Sequence, residues 1–62
     1  MISAEQAKQT AIKSIRTNAS VSFCSIRLYE PHWLSQFLFT YKSGRSEYVV
    51  IKVNSETGEV EK

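Results

Sequence analysis

The sequence has few of the residues from which small domains build cross-links and reactive centres. Its 62 residues include one cysteine (Cys24), one histidine (His32) and no aspartate. A single cysteine excludes an internal disulfide, and one cysteine with one histidine falls short of the four ligands of a structural zinc site. A domain of this length buries only about 60% of the surface of its unfolded chain, so association with a partner is the stabiliser that remains.

Long apolar runs and blocks of like charge are also absent. No segment approaches the roughly 20 apolar residues of a membrane-spanning helix, and no charged-then-apolar leader opens the chain. The sequence as written therefore predicts a cytoplasmic protein, or an extracytoplasmic one if the chain is a fragment of an exported protein. Eight basic and six acidic residues give a net charge of +2. The basic residues are scattered and do not form the stripe typical of nucleic-acid binders.

The N-terminal part of the chain predicts an amphipathic helix. Ser3 and Gln6 match a capping box, in which each side chain accepts a hydrogen bond from the backbone amide of the other residue. Apolar residues then recur at helical spacing from Ala4 to about Arg16, with basic and polar residues on the opposite side. Asn18 tolerates the left-handed conformation that commonly ends helices, and is expected to do so here.

The apolar pattern changes to a period of two beyond this helix. It predicts a first strand from Val21 to Glu30, a second from Trp33 to Lys42 and a third from Glu47 to Asn54. Pro31 interrupts the ladder between the first two strands, because proline has no amide hydrogen to donate. A turn at Ser43–Ser46 joins the second strand to the third.

These elements predict one α+β domain over residues 1–62. One N-terminal helix is expected to pack on a three-stranded antiparallel sheet in the order α-β-β-β, and a short fourth strand could form around Val60 at the C-terminus. Simple alternation along the first strand places Phe23 and Leu28 on opposite faces of this sheet.

Both faces of the predicted sheet carry large apolar side chains. If Tyr41 pairs with Tyr48 across the turn, each face of the hairpin holds five such residues, and a slip of one residue would mix the two sets. One set is then Phe37, Phe39, Tyr41, Tyr48 and Val50, and the other is Leu34, Leu38, Val49, Ile51 and Val53. One short helix can cover only one face, and soluble monomers seldom expose an apolar patch of several hundred Å² without a purpose. The second face is expected to meet a partner, unless the C-terminal tail or the loop around Pro31 shields it.

No group of residues predicts catalysis. A catalytic histidine needs a neighbouring nucleophile and an orienting group, and His32 follows Pro31 in a predicted exposed turn with neither assigned to it. Cys24 in a strand is more often a small buried apolar residue than a nucleophile. The nucleotide-binding and metalloprotease motifs GxGxxG, P-loop and HExxH are absent. We therefore expect a protein that is not an enzyme and has no cofactor, metal or small-molecule substrate.

The two ends of the chain resemble the PepSY domain family. Residues 2–7, ISAEQA, are similar to that family's I-[ST]-x-E-x-A helix start. Residues 48–60, YVVIKVNSETGEV, are similar to its Y-x-V-x-V-D-x-x-T-G-E-V close, with Asn54 in place of the aspartate, and Trp33 before an alternating strand also fits. The resemblance implies a helix on an antiparallel sheet and a non-catalytic role in protein interaction or protease inhibition, often outside the cytoplasm.

Three functions follow from these patterns, and the first is favoured. It is a protein-interaction module that self-associates as a homodimer, or binds another protein, through the second apolar face or an edge of its sheet. The expected contact residues are large amphipathic anchors: Trp33, Phe37, Phe39, Tyr41 and Tyr48. The alternatives are a peptidase inhibitor or regulator of the PepSY type, and a small single-strand nucleic-acid binder that stacks bases on the aromatic face. No membrane partner is expected.

Overall fold

One helix and four strands make up the fold in a computed structural model, which describes residues 1–61; Lys62 lies outside the described residues. The elements are α1 (Ala4–Ser14), β1 (Ser20–Tyr29), β2 (His32–Thr40), β3 (Ser46–Asn54) and β4 (Val60–Glu61). All neighbouring strands are antiparallel and follow the chain order β1-β2-β3-β4 across the sheet. The predicted α+β class is confirmed, with the short fourth strand.

The helix begins at the predicted capping box. The Ser3 hydroxyl accepts a hydrogen bond from the Gln6 amide at 3.1 Å, and the Gln6 side chain accepts one from the Ser3 amide at 2.9 Å. The helix ends at Ser14, two residues before the predicted end, because Ile15 is already extended and packs against the core. The expected left-handed turn at Asn18 is wrong, since only glycines in the described range have a positive φ.

The helix lies on the face of the sheet that carries Phe37 and Val53. Ala7 and Ala11 are fully buried on the side of α1 that faces the sheet, and their small side chains let the helix approach it closely. Phe37 and Val53 have no exposed surface, and Phe39 keeps 8% of its surface exposed. These are the five buried apolar residues among those described, which is the thin core expected of so short a chain.

The hairpin between β2 and β3 turns through a three-residue loop, residues 42–44. The Gly44 amide donates to the Tyr41 carbonyl at 2.9 Å, and the Tyr41 amide donates to the Arg45 carbonyl at 2.8 Å. Gly44 has a φ of +94°, which matches the type I turn followed by a left-handed residue that is common in three-residue hairpins. The predicted turn at 43–46 therefore lies about one residue too late.

This loop sets a register that differs from the expected one. Leu38, three residues before Tyr41, pairs with Tyr48, so the expected Tyr41–Tyr48 pair is wrong. The observed pairing thus differs from the expected one by three residues. Because side chains alternate between the two faces of a strand, this odd shift places each side chain of β3 with the opposite set of β2 side chains from the one expected. The face beneath the helix, here called the inner face, carries Trp33, Ser35, Phe37, Phe39, Val49, Ile51 and Val53. The opposite face, here called the outer face, carries Leu34, Gln36, Leu38, Tyr48, Val50 and Lys52.

Strand β1 contains an extra residue at Cys24. Phe23 pairs with β2 at Phe37, and the next paired residue of β1 is Ser25, as in a β-bulge. The extra residue places Phe23 on the inner face together with Leu28, where simple alternation had put them on opposite faces. Cys24 is exposed at this bulge, and the expectation of a buried cysteine is wrong.

The turn between β3 and β4 is closed by Asn54. Its side-chain oxygen accepts hydrogen bonds from the amides of Glu56 at 2.8 Å and Thr57 at 2.9 Å. Gly58, with a φ of +77°, donates its amide to the Asn54 carbonyl at 2.8 Å. An aspartate at this position could accept the same two side-chain bonds.

Ser35 is a polar residue enclosed in the core. It is fully buried, and no described residue gives its hydroxyl a hydrogen-bond partner. A buried polar group without a partner costs roughly 1–3 kcal/mol. We therefore expect Ser35→Ala to raise the free energy of unfolding in urea by about 1 kcal/mol. Ser22→Ala on the exposed part of β1 is the control, expected to change it by less than about 0.5 kcal/mol. A less stable Ser35→Ala protein would contradict this account.

Candidate interaction surface on the outer face

The outer face of the sheet exposes a continuous set of apolar and aromatic side chains. Within residues 1–61 no helix or strand packs over this face. Tyr48 is 67% exposed, Tyr29 56% and Val50 55%, while Leu34 and Leu38 are half-buried among their neighbours. The five residues run diagonally from β3 across β2 to β1 and are called the apolar stripe below.

Polar side chains lie between and beside the residues of the apolar stripe. Gln36 lies in the middle of the outer face and accepts a long hydrogen bond from the Ser25 hydroxyl at 3.4 Å. A shallow groove of about 230 Å³ lies over this region, lined by Ser25, Arg27, Tyr29, Leu34, Gln36 and Val50. Small-molecule sites usually enclose roughly 300–1,000 Å³, so the groove is better suited to a protruding side chain of a protein partner.

The C-terminal strand is fastened to one end of the outer face by Glu61. Its carboxylate lies 2.7 Å from Nε2 of His32 and accepts a hydrogen bond from Nδ2 of Asn54 at 3.1 Å. The bonds from Asn54 and His32 lower the pKa of Glu61 below its ordinary value. His32 pairs with Tyr29 across the β1–β2 hairpin, so this cluster borders the apolar stripe.

Protonation of Glu61 is expected to loosen this end of the sheet. Because the folded-state pKa is lowered, the stabilisation is complete above the ordinary carboxyl pKa of about 4.3 and is lost as the pH falls through the lower folded value. We expect Glu61→Gln to lose less thermal stability than the wild type between about pH 7 and about pH 3. Glu59→Gln, at an exposed neighbouring position, should keep the wild-type loss. Equal losses in Glu61→Gln and the wild type would rule out this role of Glu61.

Only one of the five predicted contact residues lies on the outer face. Tyr48 belongs to the apolar stripe. Phe37 and Phe39 are buried in the core, and Trp33 and Tyr41 are half-buried against it. The structure thus gathers four of the five residues on the inner face, beneath or beside α1, where the fully buried Phe37 has no surface to offer a partner.

Trp33 and Tyr41 have partners of their own at the two ends of the inner face. The Trp33 indole donates a hydrogen bond to the Ile2 carbonyl at 3.2 Å and so ties the N-terminus to β2. The Tyr41 hydroxyl donates to the Glu47 carboxylate at 2.8 Å, and this bond raises the pKa of Tyr41. Both side chains therefore have a structural role in the monomer.

The residues that sequence reasoning did not select as contacts are the other four of the apolar stripe: Tyr29, Leu34, Leu38 and Val50. The segment Lys42-Ser43-Gly44 could have predicted the correct register. Two polar residues precede a glycine there, in the order that a three-residue hairpin loop requires. With that loop, Tyr48 and Val50 join the leucines of β2 on one face. The bulge at Cys24 left no comparable signal.

The two residues considered for chemistry lie far apart. His32 pairs with Tyr29, which is five residues from Cys24 along β1, or roughly 16 Å at 3.3 Å per residue. His32 begins β2 and contacts Glu61, so its expected place in an exposed turn is wrong. The described residues include no group of three histidine, cysteine, aspartate or glutamate side chains that could hold a metal ion. No helix in residues 1–61 is long and apolar enough to cross a membrane.

Comparison of the chain with models of known protein families, with curated proteins and with solved structures finds no match. What the protein does must therefore be inferred from its own geometry.

Proposed function

We propose that this protein is a non-catalytic interaction module that forms a weak homodimer by packing the outer faces of two sheets together. The observation that supports this proposal most is the exposure of the apolar stripe. Tyr29, Tyr48 and Val50 each expose more than half of their surface. Helix α1 packs on the inner face and covers none of them. Removing such a patch from water is favourable, at about 25 cal/mol per Å² of apolar surface before the costs of association.

The size of the outer face sets the expected strength of the dimer. Nine-residue strands at about 3.3 Å per residue, spaced about 4.8 Å apart, give a face of about 30 Å by 14 Å, or roughly 400 Å² per copy. A standard stable interface buries about 800 Å² per partner. We therefore expect a concentration-dependent dimer, with a dissociation constant of tens to hundreds of micromolar, on the order of −5 to −7 kcal/mol.

A second copy is the partner that the chain's own composition favours. The described core contains five buried apolar residues, and the single Cys24 excludes an internal disulfide. Face-to-face packing of two sheets supplies the apolar burial that short domains otherwise obtain from disulfides, metals or partners. The mixed charge of the chain, eight basic and six acidic residues, does not select a strongly charged partner.

The free edge of β1 is less suited to self-association than the outer face. The bulge at Cys24 interrupts the row of backbone groups that an added strand would pair with, and Arg27 places a charge on the same strand. Bulges and charged residues are both devices by which sheet edges avoid pairing with other chains. The pairing of β2 with β3, which forms most of the outer face, runs without a bulge from His32 to Thr40.

Two other functions find less support. Base stacking on the aromatic strand would need Phe37 and Phe39 at the surface, and both are buried beneath α1. Inhibition of a peptidase, as the PepSY resemblance implies, rests on the sequence of the two chain ends, and no feature of residues 1–61 adds to it. It stays a prediction, to be tested by assaying thermolysin-like enzymes with and without the protein.

Amide NMR spectra recorded on dilution test the proposed contact. Between about 1 mM and about 10 µM, a range that spans the expected dissociation constant, the signals of Leu34, Leu38 and Val50 should shift progressively. Signals from the solvent side of α1, such as those of Gln9 and Lys13, should not. Spectra that are independent of concentration would contradict self-association, and shifts confined to β1 would place the contact at the sheet edge.

A further inference from the structure

We infer that the two-fold axis of this homodimer runs across the strands through Gln36. The inference rests on the proposed homodimer and specifies its geometry. Leu34 and Leu38 lie on β2 at two residues to either side of Gln36, so a rotation about such an axis exchanges their positions. Leu34 then lies over the partner's Leu38, and the two Gln36 side chains meet on the axis.

The same rotation produces compatible contacts along β3. Val50 pairs with Gln36, so it also lies near the axis and meets its own counterpart. Tyr48 and Lys52 lie at equal distances to either side of Val50, and the rotation places Tyr48 over the partner's Lys52. A lysine ammonium over a tyrosine ring is an attractive arrangement, and its aliphatic stem covers apolar surface.

Gln36 suits a position on a symmetry axis. Its side-chain amide carries both donors and an acceptor, so two copies facing each other can each donate and accept a hydrogen bond. The Ser25 hydroxyl already contacts Oε1 of Gln36 at 3.4 Å, which helps to orient the amide. A polar pair enclosed by leucines and Val50 would fix the register of the two sheets, as single buried polar residues do in other symmetric assemblies.

Charge distinguishes this axis from the alternative one that runs along β2. Arg27 and Lys52 both pair with Leu34, on either side of β2. An axis along β2 would place Arg27 over the partner's Lys52, and like charges brought together oppose association. The axis through Gln36 across the strands places Arg27 over the partner's Ser22 instead, since Ser22 pairs with Leu38. Both axes keep the strands of the two sheets nearly aligned, so charge decides between them.

Paired charge substitutions at Leu34 and Leu38 test the axis. In Leu34→Glu/Leu38→Lys, each new carboxylate should face an ammonium of the partner, and the dimer should persist in sedimentation experiments. In Leu34→Glu/Leu38→Glu, carboxylates should face carboxylates, and the dissociation constant should rise at least tenfold. An axis along β2 would stack each substituted position on itself and weaken both variants. That outcome would overturn the inferred axis, whereas a monomeric wild type would overturn the homodimer itself.

Cross-linking provides a second test that leaves both leucines in place. Face-to-face sheets lie about 10 Å apart, too far for a disulfide, so a bismaleimide with a short spacer is the probe. In a Cys24→Ser background, Gln36→Cys should give a cross-linked dimer and Thr40→Cys should not, because Thr40 is four residues from the axis. Cross-linking through both positions would indicate an axis along β2. A dimer that cross-links through neither position would also overturn the inference.

Discussion

Replacing Phe39 by glutamate is expected to unfold the protein. Phe39 is 8% exposed on the inner face, and removal of a buried phenylalanine side chain alone typically costs about 3–5 kcal/mol. Placing a carboxylate there adds a desolvation cost. A domain of this length has roughly 3–9 kcal/mol of stability by the per-residue average, so the variant should lose its helix and sheet signals in circular dichroism at 25 °C.

The matched control is Phe23→Glu. Phe23 is 40% exposed at the margin of the inner face, and the Lys8 ammonium lies 4.5 Å from the centre of its ring. A glutamate there stays in contact with water and close to a positive charge, so this variant should remain folded with reduced stability. A Phe39→Glu protein that stays folded and loses only its self-association would place Phe39 on the interface and contradict the observed division of the two faces.

Replacing Val50 by glutamate is expected to dissociate the homodimer and leave the fold intact. Val50 is 55% exposed on the outer face, so the substitution removes little from the core, at a cost of about 1 kcal/mol in strand propensity. In the dimer, however, it would bring two carboxylates together in an apolar contact. The dissociation constant should rise at least tenfold, which corresponds to about 1.4 kcal/mol, while the circular dichroism spectrum stays that of the wild type.

Val21→Glu is the control for this second substitution. Val21 is 39% exposed and lies on the inner face near the free edge of β1, away from the apolar stripe. It should dimerise as the wild type does. If Val21→Glu dissociates the dimer and Val50→Glu does not, the contact lies at the β1 edge and the proposed outer-face interface is wrong.

The elements of this fold were predictable because their signals are local. The reciprocal hydrogen bonds of Ser3 and Gln6 involve residues three apart, and the capping pattern therefore fixes the start of α1 whatever the rest of the chain does. The strands follow from a period of two and from β-branched and aromatic composition. The end of β3 at Asn54 is the predicted one, and the other strand boundaries differ from the expected ones by one or two residues, as the end of β2 at Thr40 illustrates.

The faces of the sheet were not predictable to the same degree, because they depend on register. The β2–β3 loop consists of residues 42–44, with Gly44 as its third residue. This position of the loop determines which side chains of β3 lie on the same face as those of β2. The bulge at Cys24 changes the alternation of faces within β1. No residue type in that segment predicts a bulge. The observed pairing of β2 with β3 differs from the expected one by three residues, and a shift by an odd number exchanges core and surface for a whole strand.

The candidate contact residues depended on these faces. Large aromatic side chains serve cores and interfaces equally well, so Phe37 and Phe39 could have belonged to either. Ala7 and Ala11 settle their position, because small residues on one side of α1 admit the phenylalanine rings beneath the helix. The outer face is then left with Tyr48 as its predicted anchor, joined by aliphatic residues such as Leu34 and Val50 that aromatic-centred reasoning does not select.

If the outer face of the sheet brings two copies of this chain together, the mass of the protein in solution must rise with its concentration. Sedimentation equilibrium of the unmodified protein over a concentration series, from about 10 µM to about 1 mM, measures this most directly. We expect the weight-average mass to rise from 7.1 kDa towards twice that value. A mass that stays at 7.1 kDa up to the highest concentration would show that the apolar stripe does not bind its own copy.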